Sequence, residues 1–172
     1  MRKKPVVSVV MGSDSDLPIM SECSAALHKL GIEHEIKISS AHRSPEETAK
    51  FARGARKKGI KVIIAAAGGA AHLAGVIAAH TILPVIGVPM DTKLDGIDSL
   101  LSTVQMPSGV PVATVSIGRA GAVNSAILAA SIIAVGSAGT ANKLKAHKRE
   151  LVRKIAAKNK KIVIGTTIKR KK

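Results

Sequence analysis

Four short polar clusters hold most of the residues in this chain that could do chemistry: Gly12-Ser-Asp-Ser-Asp16, Ser39-Ser-Ala-His-Arg-Ser-Pro45, Gly68-Gly-Ala-Ala-His-Leu73 and Pro89-Met-Asp-Thr92. The first has neither the Lys nor the spacing of a P-loop, and it is not G-x-G-x-x-G. Triphosphate and dinucleotide binding therefore fit it poorly. Gly12 offers a backbone N–H and Ser13 a hydroxyl. Asp16 can accept hydrogen bonds from ligand hydroxyls, as acidic residues do from a ribose. Ser15 or Asp16 suits the cap of a following helix equally well. In the second cluster, Arg43 presents a fork of donors that matches a phosphate. The Ser44 hydroxyl and the helix start behind it add to that field. His42 is of the residue type most often used for general acid/base work, although a water-exposed loop histidine would read the same way. In the third, Gly68 and Gly69 followed by Ala70 and Ala71 make a wall almost free of side chains, close to which a flat ring could lie. The same residues would also serve simply as a turn. His72 either contacts a ligand or caps local backbone.

The remaining histidines read as structural. His28 lies mid-helix, His34 on a strand, His80 near a helix end and His147 in a basic tail. No two histidines have metal-ligand spacing with a carboxylate partner, so no metal is expected. One cysteine, Cys23, excludes an internal disulfide framework and a cysteine-based zinc site, and fits a reducing cytoplasm.

The net charge of +16 is concentrated at one end. Residues 143–172 carry 13 Lys/Arg against Glu150 alone, or +12, and residues 1–142 carry only +4. Such a tail attracts polyanions without specificity. With no Trp, no Tyr and one Phe, Phe51, a base-stacking surface is excluded and nucleic acid is an improbable partner. No apolar stretch reaches the ~20 residues needed to span a bilayer. The basic start and short apolar run at the N-terminus do not make a signal segment.

These clusters need elements to position them. Short β-branched runs alternate with helical stretches along 172 residues, enough for one domain. Strands are expected at 6–11, 33–39, 61–66, 84–88 and 110–115. Helices are expected at 17–30, 45–58, 71–81, 97–103, 120–135 and 141–158, with Ser44 as N-cap and Pro45 at the first position of the second. Strand–helix alternation with apolar strands predicts a three-layer, doubly wound parallel sheet of flavodoxin-like order 2-1-3-4-5. In such a sheet ligands bind outside the carboxyl ends of the strands. Each of the four clusters follows a predicted strand. Residues 1–157 form the catalytic domain in this reading, and 158–172 a basic extension. The small-residue start at Gly118–Ala126 predicts close packing against another subunit, hence a homo-oligomer.

Six segments together resemble the phosphoribosylaminoimidazole carboxylase catalytic subunits, the N5-carboxyaminoimidazole ribonucleotide mutases. They are residues 11–16, 40–45, 67–73, 84–89, 96–100 and 104–112, and 118–130 continue the match. The resemblance covers about residues 6–135, in order and with family spacing. It implies a purine-biosynthetic mutase that moves a carboxylate from N5 to ring carbon C4 of aminoimidazole ribonucleotide. It also implies a flavodoxin-type octamer with no metal and no organic cofactor. His42 matches the family's acid/base, and Ser13, Asp16, Ser40 and Arg43 match its ligand contacts. Gly68, Gly69, Ala70 and Leu73 match the ring-binding wall. A carbamate-forming synthetase must supply the substrate. Ala74 stands where family members usually have Pro, and residues 158–172 have no family counterpart. A direct carboxylase using carbon dioxide is the alternative enzyme. A polyanion-binding module using the tail is the alternative of another class.

Overall fold

The computed structural model describes residues 4–169, with side chains to Ile162. Strands β1 (Val7–Met11), β2 (His34–Ile38), β3 (Val62–Ala67), β4 (Val85–Pro89) and β5 (Ala113–Thr114) form one sheet in the order β2-β1-β3-β4-β5. Every pairing is parallel. The helices are α1 (Leu17–Lys29), α2 (Pro45–Ala55), α3 (Leu73–Ala79), α4 (Ile97–Val104), α5 (Gly118–Ala134) and α6 (Ala138–Lys169). The predicted order and three-layer arrangement are those observed.

Alternation along the strands divides the core in two. Val7, Val9 and Met11 join Val62, Ile64 and Ala66 in one cluster with buried residues of α1 and α5. Val10, Ile63 and Ala65 face the other way, against Phe51 of α2 and Leu73 and Ile77 of α3. Both faces of β1, β3 and β4 are covered, which is why their sequences are continuously apolar. With so few large side chains, backbones come close. A Cβ at Gly87 would strike Thr103 and stand 2.9 Å from Val112, so α4 and the segment before β5 lie directly on β4.

Of the boundaries that differ from expectation, three are the most informative. The fifth strand, predicted over 110–115, pairs only at Ala113 and Thr114. Pro111 lacks a donor, and this is an edge strand. The second helix ends at Ala55 and tightens into a 3-10 turn over Arg56–Lys58, closed by Gly59 at φ 96. The last helix does not stop at Lys158 but continues to Lys169. The end of the proposed extension, residues 170–172, lies outside the described residues. Ala74 is buried in the first turn of α3.

α6 is tied to α1 by one acid between two cations. Glu150 lies 2.8 Å from Lys29 and 3.0 Å from Lys154. Hydrogen bonds from Lys29, then Lys154, pull its carboxyl down from 4.5 to about 2. A carboxyl lowered in the folded state stabilises fully above its unfolded pKa, and that contribution is lost as pH falls through the folded value. Glu150→Gln should therefore lower the thermal midpoint at neutral pH. The gap between variant and parent should close as the pH is taken from 4.5 toward 2, measured by melts across that range.

Candidate active site

Register brings the four clusters together. Met11 of β1 pairs with Ile38 of β2 and Ala66 of β3, and Ala67 of β3 pairs with Pro89 of β4. The chain leaves all four strands at one level, and the four turns enclose a cavity of about 570 Å³. That volume suits a small ligand such as a nucleotide. Ser13, Asp16, Ser40, His42, Arg43, Gly68, Ala70, His72 and Leu73 all line it. A smaller hollow of about 310 Å³ adjoins it, sharing Gly12, Ser13, Ser40 and Arg43.

Each side chain is held by something local. Ser40 Oγ accepts from the Arg43 N–H at 3.1 Å, which turns the loop and aims Arg43 back toward β1. Arg43 Nη2 donates to the Gly12 carbonyl at 3.2 Å, joining the first two turns. Ser44 behaves differently from expectation. Its hydroxyl does not cap α2 but donates to the Ser40 carbonyl and accepts the Ser40 N–H. It braces the loop and adds nothing to a phosphate field. The Gly12 N–H is also committed, to the Ala66 carbonyl at 3.1 Å, and so is not a ligand donor. The Ser13 hydroxyl accepts the Ser15 N–H and donates to Asp14. Asp16 stands at the N-cap of α1 without bonding it through its side chain. Burial raises its pKa, a backbone bond from Ser13 opposes this, and the Asp14 charge adds to the rise. A half-buried carboxylate short of partners is suited to accept hydroxyls.

His42 and His72 meet across the cavity mouth, Nε2 to Nδ1 at 2.9 Å, with their rings nearly perpendicular. One of these nitrogens donates and the other accepts, so the pair shares one proton between them. The His72 side chain makes no cap to α3, and its ring meets His42 instead. His34, by contrast, bonds Ser24 and the Ile32 carbonyl, a structural role.

Ala71 of the predicted wall is buried and does not line the cavity, and neither does Gly69. At φ +62 it turns its N–H to Ser99 Oγ of α4, 2.9 Å away. Gly68 does face the cavity, and Thr92 explains why no side chain fits there. A Cβ on Gly68 would come within 2.6 Å of Thr92 Cγ2. Thr92, Asp91, Met90, Ser15, Ile19, Ala41 and Ala67 complete the lining. Of these, Met90–Thr92 were marked in sequence by following β4. Ile19 carried no signal. Among the described residues no group of three or more His, Cys, Asp or Glu side chains could hold a metal, and no helix is long and apolar enough to cross a membrane.

This arrangement defines a flavodoxin-like enzyme class with a nucleotide-sized site at the strand ends. Residues 6–154 match the AIR carboxylase family, and the chain belongs to it. N5-carboxyaminoimidazole ribonucleotide mutase of Pyrococcus horikoshii is 51% identical over 161 residues, 93% of this chain and 90% of that protein. The mutase of Bacillus subtilis is 55% identical over 142 residues, covering 82% and 88%. The crystal structure of Treponema denticola PurE matches with a TM-score of 0.83 at 27% identity, over 91% of this chain and 98% of that one.

Thr92 also bonds Asp98 at the start of α4, hydroxyl to Oδ1 at 2.7 Å. That bond is the main reason the Asp98 carboxyl sits below its ordinary 3.8. Thr92→Val should raise the Asp98 pKa toward 3.8, read by carboxyl NMR titration.

Proposed function

We propose that the chain converts N5-carboxyaminoimidazole ribonucleotide to 4-carboxy-5-aminoimidazole ribonucleotide in purine biosynthesis, with His42 as the proton carrier. The observation that supports this most is one cavity joining His42, Arg43 and Asp16 to a wall of Gly68 and Ala70, in a chain whose relatives carry the mutase name. Arg43, with Ser13 and Ser40, binds the phosphate, and Asp16 accepts the ribose hydroxyls. Leu73 and the Gly68–Ala70 wall hold the ring, and His72 orients His42.

The chemistry then balances without any added reactant. Protonated His42 gives its proton to N5, the N5–carboxyl bond breaks, and carbon dioxide and the free amine result. C4 attacks the carbon dioxide, forming the new carbon–carbon bond. Neutral His42 removes the C4 proton, which returns it to its starting state. Carbon dioxide is neutral and must be kept from escaping, a task for a dry wall close to the ring.

His42→Asn should lower turnover by about 10³-fold, the scale of lost acid/base catalysis, while substrate still binds. The assay follows the C4-carboxylated product from the carbamate, and separately from aminoimidazole ribonucleotide with labelled bicarbonate. A His42→Asn variant at near-parent rate would remove His42 from this role. Product formed from the free ribonucleotide and bicarbonate alone would identify the direct carboxylase instead.

We further propose a homo-octamer acting in the cytoplasm, supplied by a carbamate-forming synthetase. Exposed Leu94, Ile97, Leu101 and Val104 on and beside α4, and Leu151, Val152 and Ile155 on α6, leave apolar surface for neighbouring copies. The catalytic unit is residues 1–157 and 158–172 are a basic extension, which continues the last helix as far as Lys169. Sedimentation should give eight chains per particle. A monomer would overturn the assembly.

A further inference from the structure

The wall that must retain carbon dioxide rests on a soft joint. Gly68 and Gly69 are adjacent, and Gly69 is in the left-handed region at φ +62. Two glycines in succession have no side chains to limit rotation of the peptide between them. Something else has to fix that peptide, and it comes from α4, about thirty residues further along the chain.

We infer that Ser99 is a positioning residue for the reaction: its hydroxyl holds the Gly69 N–H and thereby locks the Gly68–Gly69 peptide as the closed back wall of the carbon dioxide pocket. The inference rests on the reaction proposed above. Ser99 is fully buried in the first turn of α4. Its Oγ accepts the Gly69 N–H at 2.9 Å and lies 3.5 Å from Asp98 Oδ1. A trans peptide is planar, with its N–H and C=O on opposite sides. Holding the Gly69 N–H toward α4 therefore turns the Gly68 carbonyl away from α4. The neighbouring contacts support the same wall. The Asp98 carboxylate takes the Thr92 hydroxyl at 2.7 Å, and that places the Thr92 methyl against Gly68. Ser102, one turn on, donates mainly to the Asp98 carbonyl at 2.7 Å and reaches the Gly69 carbonyl only at 3.4 Å.

Ser99 touches no cavity surface, so its effect is on retention rather than on binding. Without its acceptor the Gly69 amide is released, the peptide can rotate, and the pocket opens behind the freed carbon dioxide. The reaction then ends at aminoimidazole ribonucleotide and carbon dioxide in a fraction of turnovers.

The test compares parent, Ser99→Ala, Ser99→Cys and Ser102→Ala on N5-carboxyaminoimidazole ribonucleotide. It reads the C4-carboxylated product formed per carbamate consumed, corrected for loss without enzyme, and the uptake of label from free bicarbonate. Ser99→Ala should lower kcat for the carboxylated product about tenfold, within the cost of a small misplacement, with KM little changed. The share leaking to aminoimidazole ribonucleotide should rise several-fold, and free label should enter the product. Ser99→Cys keeps the side-chain volume with a weaker acceptor and should leak less than Ser99→Ala but more than the parent. It decides the question if the alanine variant fails to fold. Ser102→Ala should stay coupled. Ser99 variants as tightly coupled as the parent, or a Ser102→Ala that leaks equally, would overturn the inference alone. A parent that forms no C4-carboxylated product would overturn it together with the proposed reaction.

Discussion

The parallel register of β1, β3 and β4 is the constraint on which the rest of the molecule depends. Because Met11, Ile38 and Ala66 lie level, and Ala67 is level with Pro89, four polar turns leave the sheet side by side. A one-residue slip of any of these three strands would exchange the side chains it presents to the two buried clusters. It would also displace its turn by about 3.3 Å along the strand, more than the 2.9 Å that separates the two histidine rings' facing nitrogens. Two separate apolar clusters, one on each face, lock the register from both sides.

Small residues shape what the register assembles. Phe51 is the one aromatic side chain of the Phe, Trp and Tyr types, so the interior is packed with Ala, Val, Ile and Leu around close backbones. Gly87 lets α4 settle on β4, and Gly68 lets Thr92 close on the wall. The first missing Cβ brings α4 onto the sheet, and the second brings the turn after β4 onto the end of β3. The cavity is thus built in front from the turn residues and behind from a helix that contributes no catalytic group. The two layers share the Thr92–Asp98 and Gly69–Ser99 bonds. The front layer carries the charged and titratable side chains of the cavity, and the back layer holds the wall by hydrogen bonds.

The net positive charge has little part in this. Arg43 is the Lys or Arg side chain that lines the cavity, and the tail's excess up to Lys169 is carried on α6. There it is partly turned to structural use, since Glu150 draws in Lys29 from α1 and Lys154 from α6 itself.

How much of this was legible in sequence follows from the range of each interaction. Strand order, the alternation of layers and the positions of the four clusters rest on local pattern: β-branched runs, a proline at a helix start, polar residues at strand ends. These could be read directly, and so could seven of the nine cavity-lining residues Ser13, Asp16, Ser40, His42, Arg43, Gly68, Ala70, His72 and Leu73 by position at a strand end, Ser40 and Leu73 needing the family resemblance. Helix ends were less legible. The final helix runs past Lys158 because no Pro or strong breaker stops it there. Tertiary structure alone decided which way polar groups point. Ser44 turned from α2 to Ser40, the Gly12 N–H went to Ala66, and Gly69 turned from the cavity to Ser99. It also set His72 against His42. Each of these bonds is chosen among several acceptors of similar strength by which element the fold brings within hydrogen-bonding distance, and a linear pattern does not contain that distance.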